Sequence, residues 1–421
     1  MSARQPSVRI WNAVLAASVA LTPVAVSAQL PAPAAVPAQP SPAVISMREQ
    51  WLNPAVNSFT FRDTNKVFES RDVPRSGPVS PLNNGTALAM PQHQSSGAAM
   101  GYDAWADRTF TNALLVMKDG KVVFEDYRNK SDATTHFISF SMAKTITALL
   151  VGIALGEHKI RSLDDKAGDY VPELKSGGYG GATIRQILQM RSGVDYEERY
   201  DFGEHPSLAA TIHMNAIVRN KMRFADPATT IGKKTVPGST FNYATLDTAV
   251  LGWILERATG EKLETYTASH LWGPLGAEAG AFWMADGPPG TGRALNGMGY
   301  NAVLRDFARL GQMMLDGGKV DGQQVIPAGW IKDMTTMTPF PVNPARKAEF
   351  EGYGFQTWQV DKEPGAYSAV GLAGQFIYVH PATRTVIVKL SYNPPVEPEW
   401  LTPEVIDYFH AIARAPVAAK P

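Results

Sequence analysis

The sequence predicts an α+β fold in which one antiparallel sheet is built from segments far apart in the chain. Residues 113–117 and 121–125 are β-rich and flank Asp119-Gly120, and an Asp-Gly turn in this setting is a strong hairpin signal. Near the C-terminus, residues 376–379 and 385–390 predict two further strands. Strands at both ends around a helical middle favour a sheet of this kind over alternating βα units.

The helical prediction depends on apolar periodicity and on glycine stop signals. The predicted helices are 145–155, 245–259, 303–315 and 403–413. Gly260 ends the second of them and Gly317-Gly318 ends the third, because glycine commonly follows the last helical residue.

Composition excludes several function classes. The 421 residues contain 39 Lys+Arg and 39 Asp+Glu, so no global charge attracts nucleic acid or an anionic membrane. The chain has no cysteine, which removes cysteine nucleophiles, CxxC redox pairs and thiolate zinc sites. We therefore expect no nucleic-acid partner, while composition leaves the oligomeric state open.

The N-terminus resembles a secretory signal peptide over residues 1–28. Basic residues precede a short apolar run, and Val26-Ser27-Ala28 is a small-residue cleavage site that leaves Gln29 first. An uncleaved membrane anchor is the alternative. Residues 29–44 are rich in Pro and Ala and predict an extended linker, and 45–421 form the main domain, with a mostly helical subdomain at 190–300. Export to the periplasm or beyond is the expected localisation.

Ser141 and Lys144 form the only S-x-x-K in the chain, at the start of an apolar helix. Residues three apart share one helix face, so the hydroxyl and the amine would lie side by side. A serine needs an adjacent base to become a nucleophile, and lysine can serve if burial lowers its pKa. The alternative is a helix-start serine beside an exposed lysine.

A second motif lies at residues 237–245, Pro-Gly-Ser-Thr-Phe-Asn-Tyr-Ala-Thr. It resembles the PG-x-x-F-x-Y-x-[NST] stretch of the serine β-lactamase and penicillin-binding-protein superfamily. The resemblance implies a β-lactamase/transpeptidase-like fold, an antiparallel sheet flanked by helices with a mostly helical insertion. It also implies that the Tyr243 hydroxyl bonds the nucleophile and the lysine and passes a proton to the leaving group.

The third motif of that superfamily, K-T-G or H-x-G, has its best match at residues 369–376. Gly371 and Gly374 fall where the family has glycines, and with Gln375 they are expected to line the substrate site. Ala369 stands in place of the usual lysine or histidine that holds a substrate carboxylate. By the same resemblance, the N–H groups of Ser141 and Leu372 would form the oxyanion hole.

Within the superfamily, residues 247–260, 305–318 and 371–375 resemble the 6-aminohexanoate-dimer (nylon-oligomer) hydrolases. The similarity covers roughly residues 50–415, and Ala373 departs from the histidine that these enzymes tend to carry. It implies an exported serine hydrolase that cleaves small amides or esters through an acyl-enzyme, with no cofactor and no metal. A short-chain carboxylesterase and a non-catalytic peptidoglycan-fragment binding protein are the alternatives, and β-lactamase activity ranks lower.

Other residues have weaker functional interpretations. Residues 297–302 fit G-x-G-x-x-A, but no β-rich run precedes them, which disfavours dinucleotide binding. His205 and His213 lack the spacing of a helical metal pair. Glu197 and Glu198 are adjacent, so a solvated face is favoured over paired-carboxylate chemistry. Six aromatic residues could line a pocket over Ser141 or simply pack in the core: Tyr196, Tyr200, Phe202, Trp272, Phe282 and Trp283.

Overall fold

The computed structural model describes residues 39–95, 98–338, 350, 352–360, 363 and 365–417. Its helices are α1 (Pro42–Glu49), α2 (Asn57–Thr60), α3 (Tyr102–Arg108), α4 (Met142–Gly156), α5 (Ala167–Tyr170), α6 (Ile184–Leu188), α7 (Leu208–Ile212), α8 (Thr245–Thr259), α9 (Leu263–Thr267), α10 (Leu304–Leu315), α11 (Trp330–Met334) and α12 (Leu401–Arg414). Its strands are β1 (Ser70–Val73), β2 (His93–Ser95), β3 (Ala98–Met100), β4 (Thr111–Lys118), β5 (Lys121–Tyr127), β6 (Phe137–Ile138), β7 (Ala281–Met284), β8 (Tyr300–Ala302), β9 (Lys319–Val320), β10 (Gln323–Gln324), β11 (Gly352–Tyr353), β12 (Trp358–Gln359), β13 (Tyr367–Gly371), β14 (Gln375–His380) and β15 (Thr385–Ser391).

The main sheet joins the two ends of the chain, which confirms the predicted fold class. Its seven antiparallel strands run in the order β11-β12-β13-β14-β15-β4-β5, so the predicted hairpin β4–β5 pairs with the C-terminal strand β15. In the hairpin turn, Asp119 and Gly120 have φ of 48° and 74°, the left-handed conformation that a tight hairpin turn requires. A smaller antiparallel sheet has the order β1-β7-β8-β6.

Successive side chains of the central strands point alternately into two layers of the core. On β14, Ile377 and Val379 join the cluster formed with α4 and α10, whereas Phe376 and Tyr378 join the cluster formed with α12. Successive side chains of a strand point to opposite faces, so helices cover both faces of the sheet. Helix α4 lies at the centre of the larger layer, and its residues from Met142 to Ala154 are all buried.

The predicted helices are present, with small shifts at their ends. Helix α8 has the predicted bounds, and Gly260 ends it with φ of 76°. Helix α10 begins one residue later than predicted, and α12 extends the prediction at both ends. Within the residues described, no helix is long and apolar enough to cross a bilayer.

The N-terminal predictions are partly tested. The signal-peptide prediction lies outside the described residues, as does most of the predicted linker. The linker prediction is wrong for residues 42–44, which form the first turn of α1. Ser41 caps this helix by accepting a hydrogen bond from the Val44 N–H, and Pro42 supplies a preset φ at the first position. The described residues from Gln39 onward form one compact unit.

Close packing against α4 generates a stability prediction. A Cβ at Gly152 would collide with the indole of Trp330, whose Nε1 donates to the Ala148 carbonyl at 3.1 Å. We expect Gly152→Ala to lower the free energy of unfolding by about 1–3 kcal/mol, because overpacking outweighs the gain of about 1 kcal/mol in helix propensity. Urea unfolding measures the change.

The matched control is Gly181→Ala, where an added Cβ meets nothing within 4 Å. This variant should stay within about 0.5 kcal/mol of the wild type. Equal stability of Gly152→Ala and the wild type would mean that the Trp330 ring moves aside without cost.

Candidate active site

Ser141 and Lys144 lie together at the N-terminus of α4. Ser141 is the N-cap residue, and the Lys144 Nζ, one turn into the helix, donates to the Ser141 Oγ at 2.9 Å. The same Nζ donates to the Thr245 Oγ1 at 3.0 Å and to the Gly297 carbonyl at 2.8 Å. Lys144 is only 1% exposed. The alternative of an exposed lysine is therefore wrong.

Burial sets the proton affinity of this amine. Removal from water lowers the pKa of Lys144 to about 8, and the negative charge of Glu198 acts in the opposite direction. An amine with this pKa is partly neutral near neutral pH, which a proton acceptor requires.

Tyr243 completes the group around Ser141. The Lys144 Nζ lies 4.9 Å from the centre of the Tyr243 ring, which stacks on Trp358 with ring centres 5.4 Å apart. The segment before α8 is held because the Asn242 N–H donates to the Met190 carbonyl at 2.8 Å. Burial raises the pKa of the Tyr243 hydroxyl well above its ordinary value, although an interaction with Ser141 lowers it. A hydroxyl that keeps its proton can relay one.

Strand β13 approaches the start of α4 very closely. A Cβ at Gly371 would collide with the Ser139 carbonyl and meet the Phe140 side chain at 3.2 Å, so only glycine fits there. Phe140 itself has φ of 42°, an uncommon value for a bulky residue. Its ring is fixed by Trp51 and Phe61, with centres 5.4 and 4.9 Å away.

The turn from β13 to β14 presents Leu372 at the surface. Ala373 and Gly374 have φ of 61° and 81°, and Leu372 is 48% exposed. The Gln375 side chain lies beneath the turn, where its Nε2 donates to the carbonyls of Leu372, Ala373 and Ser391 at 3.2, 3.0 and 2.9 Å.

The predicted substrate-binding residues lie within and beneath this turn. Gly371, Gly374 and Gln375 are all buried, and the amide of Gln375 is committed to backbone carbonyls. The Gln375 side chain therefore supports the turn, and a substrate contact by these three residues stays a prediction. Ala369 is 1% exposed and carries no charge, as its sequence position predicted.

Glu198 is the residue that sequence reasoning missed. Its Oε1 accepts from the Thr245 Oγ1 at 2.9 Å and its Oε2 from the Thr245 N–H at 2.6 Å. The solvated-face prediction is correct for Glu197, which is exposed and pairs with Lys234 at 3.2 Å, but wrong for Glu198. The sequence held a partial signal: Val194 and Tyr196 alternate with Asp195 and Glu197, and a period of two places position 198 on the same side as Val194 and Tyr196.

The six aromatic residues divide into two groups. Tyr196, Trp272, Phe282 and Trp283 are buried core residues, as the simpler interpretation predicted. Tyr200 and Phe202 are about half exposed, and the Tyr200 hydroxyl donates to Glu198. Phe202 stacks on Tyr200 with ring centres 6.3 Å apart.

Comparison with known proteins identifies the family of this chain. A family model described as Beta-lactamase matches residues 89–401, more than half of the chain. The chain belongs to the beta-lactamase family. It is 29% identical over 360 residues to the 6-aminohexanoate-dimer hydrolase of Paenarthrobacter ureafaciens, which covers 82% of this chain and 88% of the relative.

Two solved structures share the fold of this beta-lactamase family member. A Bacillus anthracis protein assigned as a 6-aminohexanoate-dimer hydrolase superposes with a TM-score of 0.76 at 23% identity, covering 89% of this chain and 97% of its own. A family VIII carboxylesterase superposes with a TM-score of 0.56 at 17% identity, covering 73% and 95%. The predicted superfamily is confirmed, and the predicted similarity to a 6-aminohexanoate-dimer hydrolase extends over most of the chain.

Three side chains of types that can bind a metal ion lie close together, apart from the Ser141 site. Among the residues that the structure describes, donor atoms of Glu363, His380 and His410 lie within 4.8 Å of one another, where β14 ends beside α12. Arg414 forms an ion pair with the same Glu363 carboxylate. An ion at this position would compete with that arginine.

The pKa of Lys144 generates a pH prediction. We expect Ser141 to react faster with a fluorophosphonate as the pH rises through about 8, because the neutral fraction of Lys144 increases there. Lys144→Met should slow this reaction about 100-fold or more and remove the titration. Intact mass against time, from about pH 6 to about pH 10, measures both.

Lys234→Met is the control, because Lys234 is half exposed and pairs with Asp195 and Glu197. In this variant Ser141 should be labelled at the wild-type rate. A wild-type rate that stays flat across this range would exclude Lys144 as the proton acceptor.

Proposed function

We propose that this protein is a serine hydrolase that cleaves small amides or esters through an acyl-enzyme. The observation that carries the proposal is the buried Lys144 amine, hydrogen-bonded at 2.9 Å to a serine hydroxyl at a helix N-terminus. Burying an amine is costly, and its lowered pKa suits a general base better than a structural cation.

Acylation begins when the Ser141 Oγ attacks the carbonyl carbon and the Lys144 amine takes its proton. The Ser141 and Leu372 N–H groups bind the oxyanion that forms, and the partial positive charge at the start of α4 stabilises it further. The C–N or C–O bond then breaks. Tyr243 passes a proton from Lys144 to the departing amine or alkoxide.

Deacylation reverses the roles of these groups. A water molecule adds to the acyl-enzyme carbonyl and gives a proton to the base. The carbon–Oγ bond breaks, Ser141 regains its proton, and the carboxylic acid leaves.

Linear amides of the aminohexanoate type are the first substrate class. Their support is the sequence relative named a 6-aminohexanoate-dimer hydrolase, which is similar over most of both chains. Short-chain carboxylic esters come second, supported by the shared fold with a carboxylesterase. β-Lactams rank third because Ala369 offers no cation for the carboxylate of the ligand. A purely binding role would not require a desolvated lysine beside a serine.

Export is part of the proposal and derives from the sequence of residues 1–28 alone. Cell fractionation with N-terminal sequencing tests it. A mature N-terminus at Gln29 in an exported fraction would support cleavage, and an intact N-terminus in the membrane fraction would favour an anchor.

Replacing the nucleophile is the first test of the mechanism. Ser141→Ala should reduce hydrolysis about 1,000-fold or more, because the acyl-enzyme cannot form. Turnover of nitrophenyl esters and aminohexanoate dimers by purified protein measures the loss. Ser269→Ala is the control, since Ser269 is exposed and its hydroxyl donates to the Thr265 carbonyl. Near wild-type turnover by Ser141→Ala would disprove the mechanism.

Substrate ranking is the second test. We expect kcat/KM for nitrocefin to be at least about 100-fold below that for the best linear amide or ester, because position 369 lacks the cation that holds a carboxylate. Parallel assays at one pH compare the three classes. Efficient nitrocefin turnover would move β-lactams to first place.

A further inference from the structure

Glu198 contacts the site through Thr245 rather than directly. The Thr245 hydroxyl stands between two partners: it is 2.9 Å from the Glu198 Oε1 and 3.0 Å from the Lys144 Nζ. A carboxylate can only accept a hydrogen bond, so the hydroxyl proton of Thr245 points to Glu198. The hydroxyl oxygen therefore faces Lys144 as an acceptor.

This arrangement fixes where the lone pair of a neutral Lys144 points. A neutral amine has two N–H donors and one lone pair, and Lys144 has three neighbours. The Gly297 carbonyl can only accept, and Thr245 is made an acceptor by Glu198, so these two take both N–H groups. The remaining direction, that of the lone pair, is toward the Ser141 hydroxyl.

We propose that Glu198 is a positioning residue that acts through the Thr245 hydroxyl to aim the lone pair of Lys144 at Ser141. The inference rests on the proposed function, because it assigns a part in the first proton transfer. Without the carboxylate, the Thr245 hydroxyl could turn its proton toward Lys144 and occupy the lone pair that Ser141 needs.

A purely structural role for Glu198 makes different predictions. Its Oε2 accepts from the Thr245 N–H at 2.6 Å, at the first residue of α8, and this bond alone could hold the helix end. Thr245→Val separates the two roles, because it removes the hydroxyl and retains both the N–H and the side-chain shape. Glu198→Gln keeps the size but offers one oxygen to the two donors of Thr245.

The experiment measures the rate at which a fluorophosphonate labels Ser141 in a double-mutant cycle. We expect Glu198→Gln and Thr245→Val each to slow labelling at least about 10-fold, with the double variant within about 2-fold of the slower single one. Thr245→Ser, which retains the hydroxyl, should recover much of the rate lost in Thr245→Val. Glu197→Gln is the matched control and should label like the wild type.

The pH profile supplies a readout that a structural role would not move. The groups that face Lys144 are Ser141, Tyr243 and, through Thr245, Glu198, while Tyr196 and Tyr200 face Glu198 from elsewhere. Loss of the negative charge in Glu198→Gln disfavours the ammonium form, so its labelling should rise at lower pH than in the wild type.

The outcomes separate the inference from the function on which it rests. If Ser141 is labelled in the wild type and equally fast in Thr245→Val, the inference alone is overturned. Glu198 is then only a helix cap. Fully additive losses in the double variant would also overturn the inference. No labelling of wild-type Ser141 would overturn the proposed function itself, and Glu198→Gln would then change only thermal stability.

Discussion

The buried amine of Lys144 is the constraint on which the rest of the site depends. A nitrogen that is removed from water loses several kcal/mol of hydration unless polar partners replace it. Its three partners come from three parts of the chain: Ser141 is the N-cap residue of α4, Thr245 begins α8 and Gly297 lies in the loop before β8. Any movement of α8 or of that loop relative to α4 would leave the amine unsatisfied.

Buried polar side chains hold these three segments in register. The Asn296 carbonyl accepts from the Thr147 Oγ1 on α4 at 2.9 Å, and its Nδ2 donates to the Thr248 carbonyl on α8 at 2.6 Å. Gln356 links the same helices from another side, accepting from Thr145 through its carbonyl and from Thr248 through its Oε1. Such networks are costly when incomplete, so each bond specifies the position of its neighbours.

Local signals in the sequence predicted most of the fold. The Asp-Gly turn predicted the β4–β5 hairpin, and Gly260 predicted the end of α8. Both predictions were possible because these residues determine the conformation of their immediate neighbours. The first two motifs predicted the grouping of Ser141, Lys144 and Tyr243. The role of Gln375 could not be predicted, because its partners in the β13–β14 turn and on β15 are defined only by the sheet. Trp358, which stacks on Tyr243, lies 115 residues away and had no local signal.

The hydroxyl between Glu198 and Lys144 explains how a carboxylate can lie near the proposed general base. A direct contact would form a buried ion pair, in which the carboxylate holds the lysine in its charged form. The Thr245 hydroxyl instead accepts from the amine and donates to the carboxylate, so the negative charge acts on Lys144 only across an intervening group. Burial therefore affects the pKa of Lys144 more than the charge of Glu198 does. Burial lowers this pKa to about 8, although Glu198 raises it. The short side chain at position 245 thus keeps the carboxylate of Glu198 one hydrogen-bonded group away from the amine of Lys144.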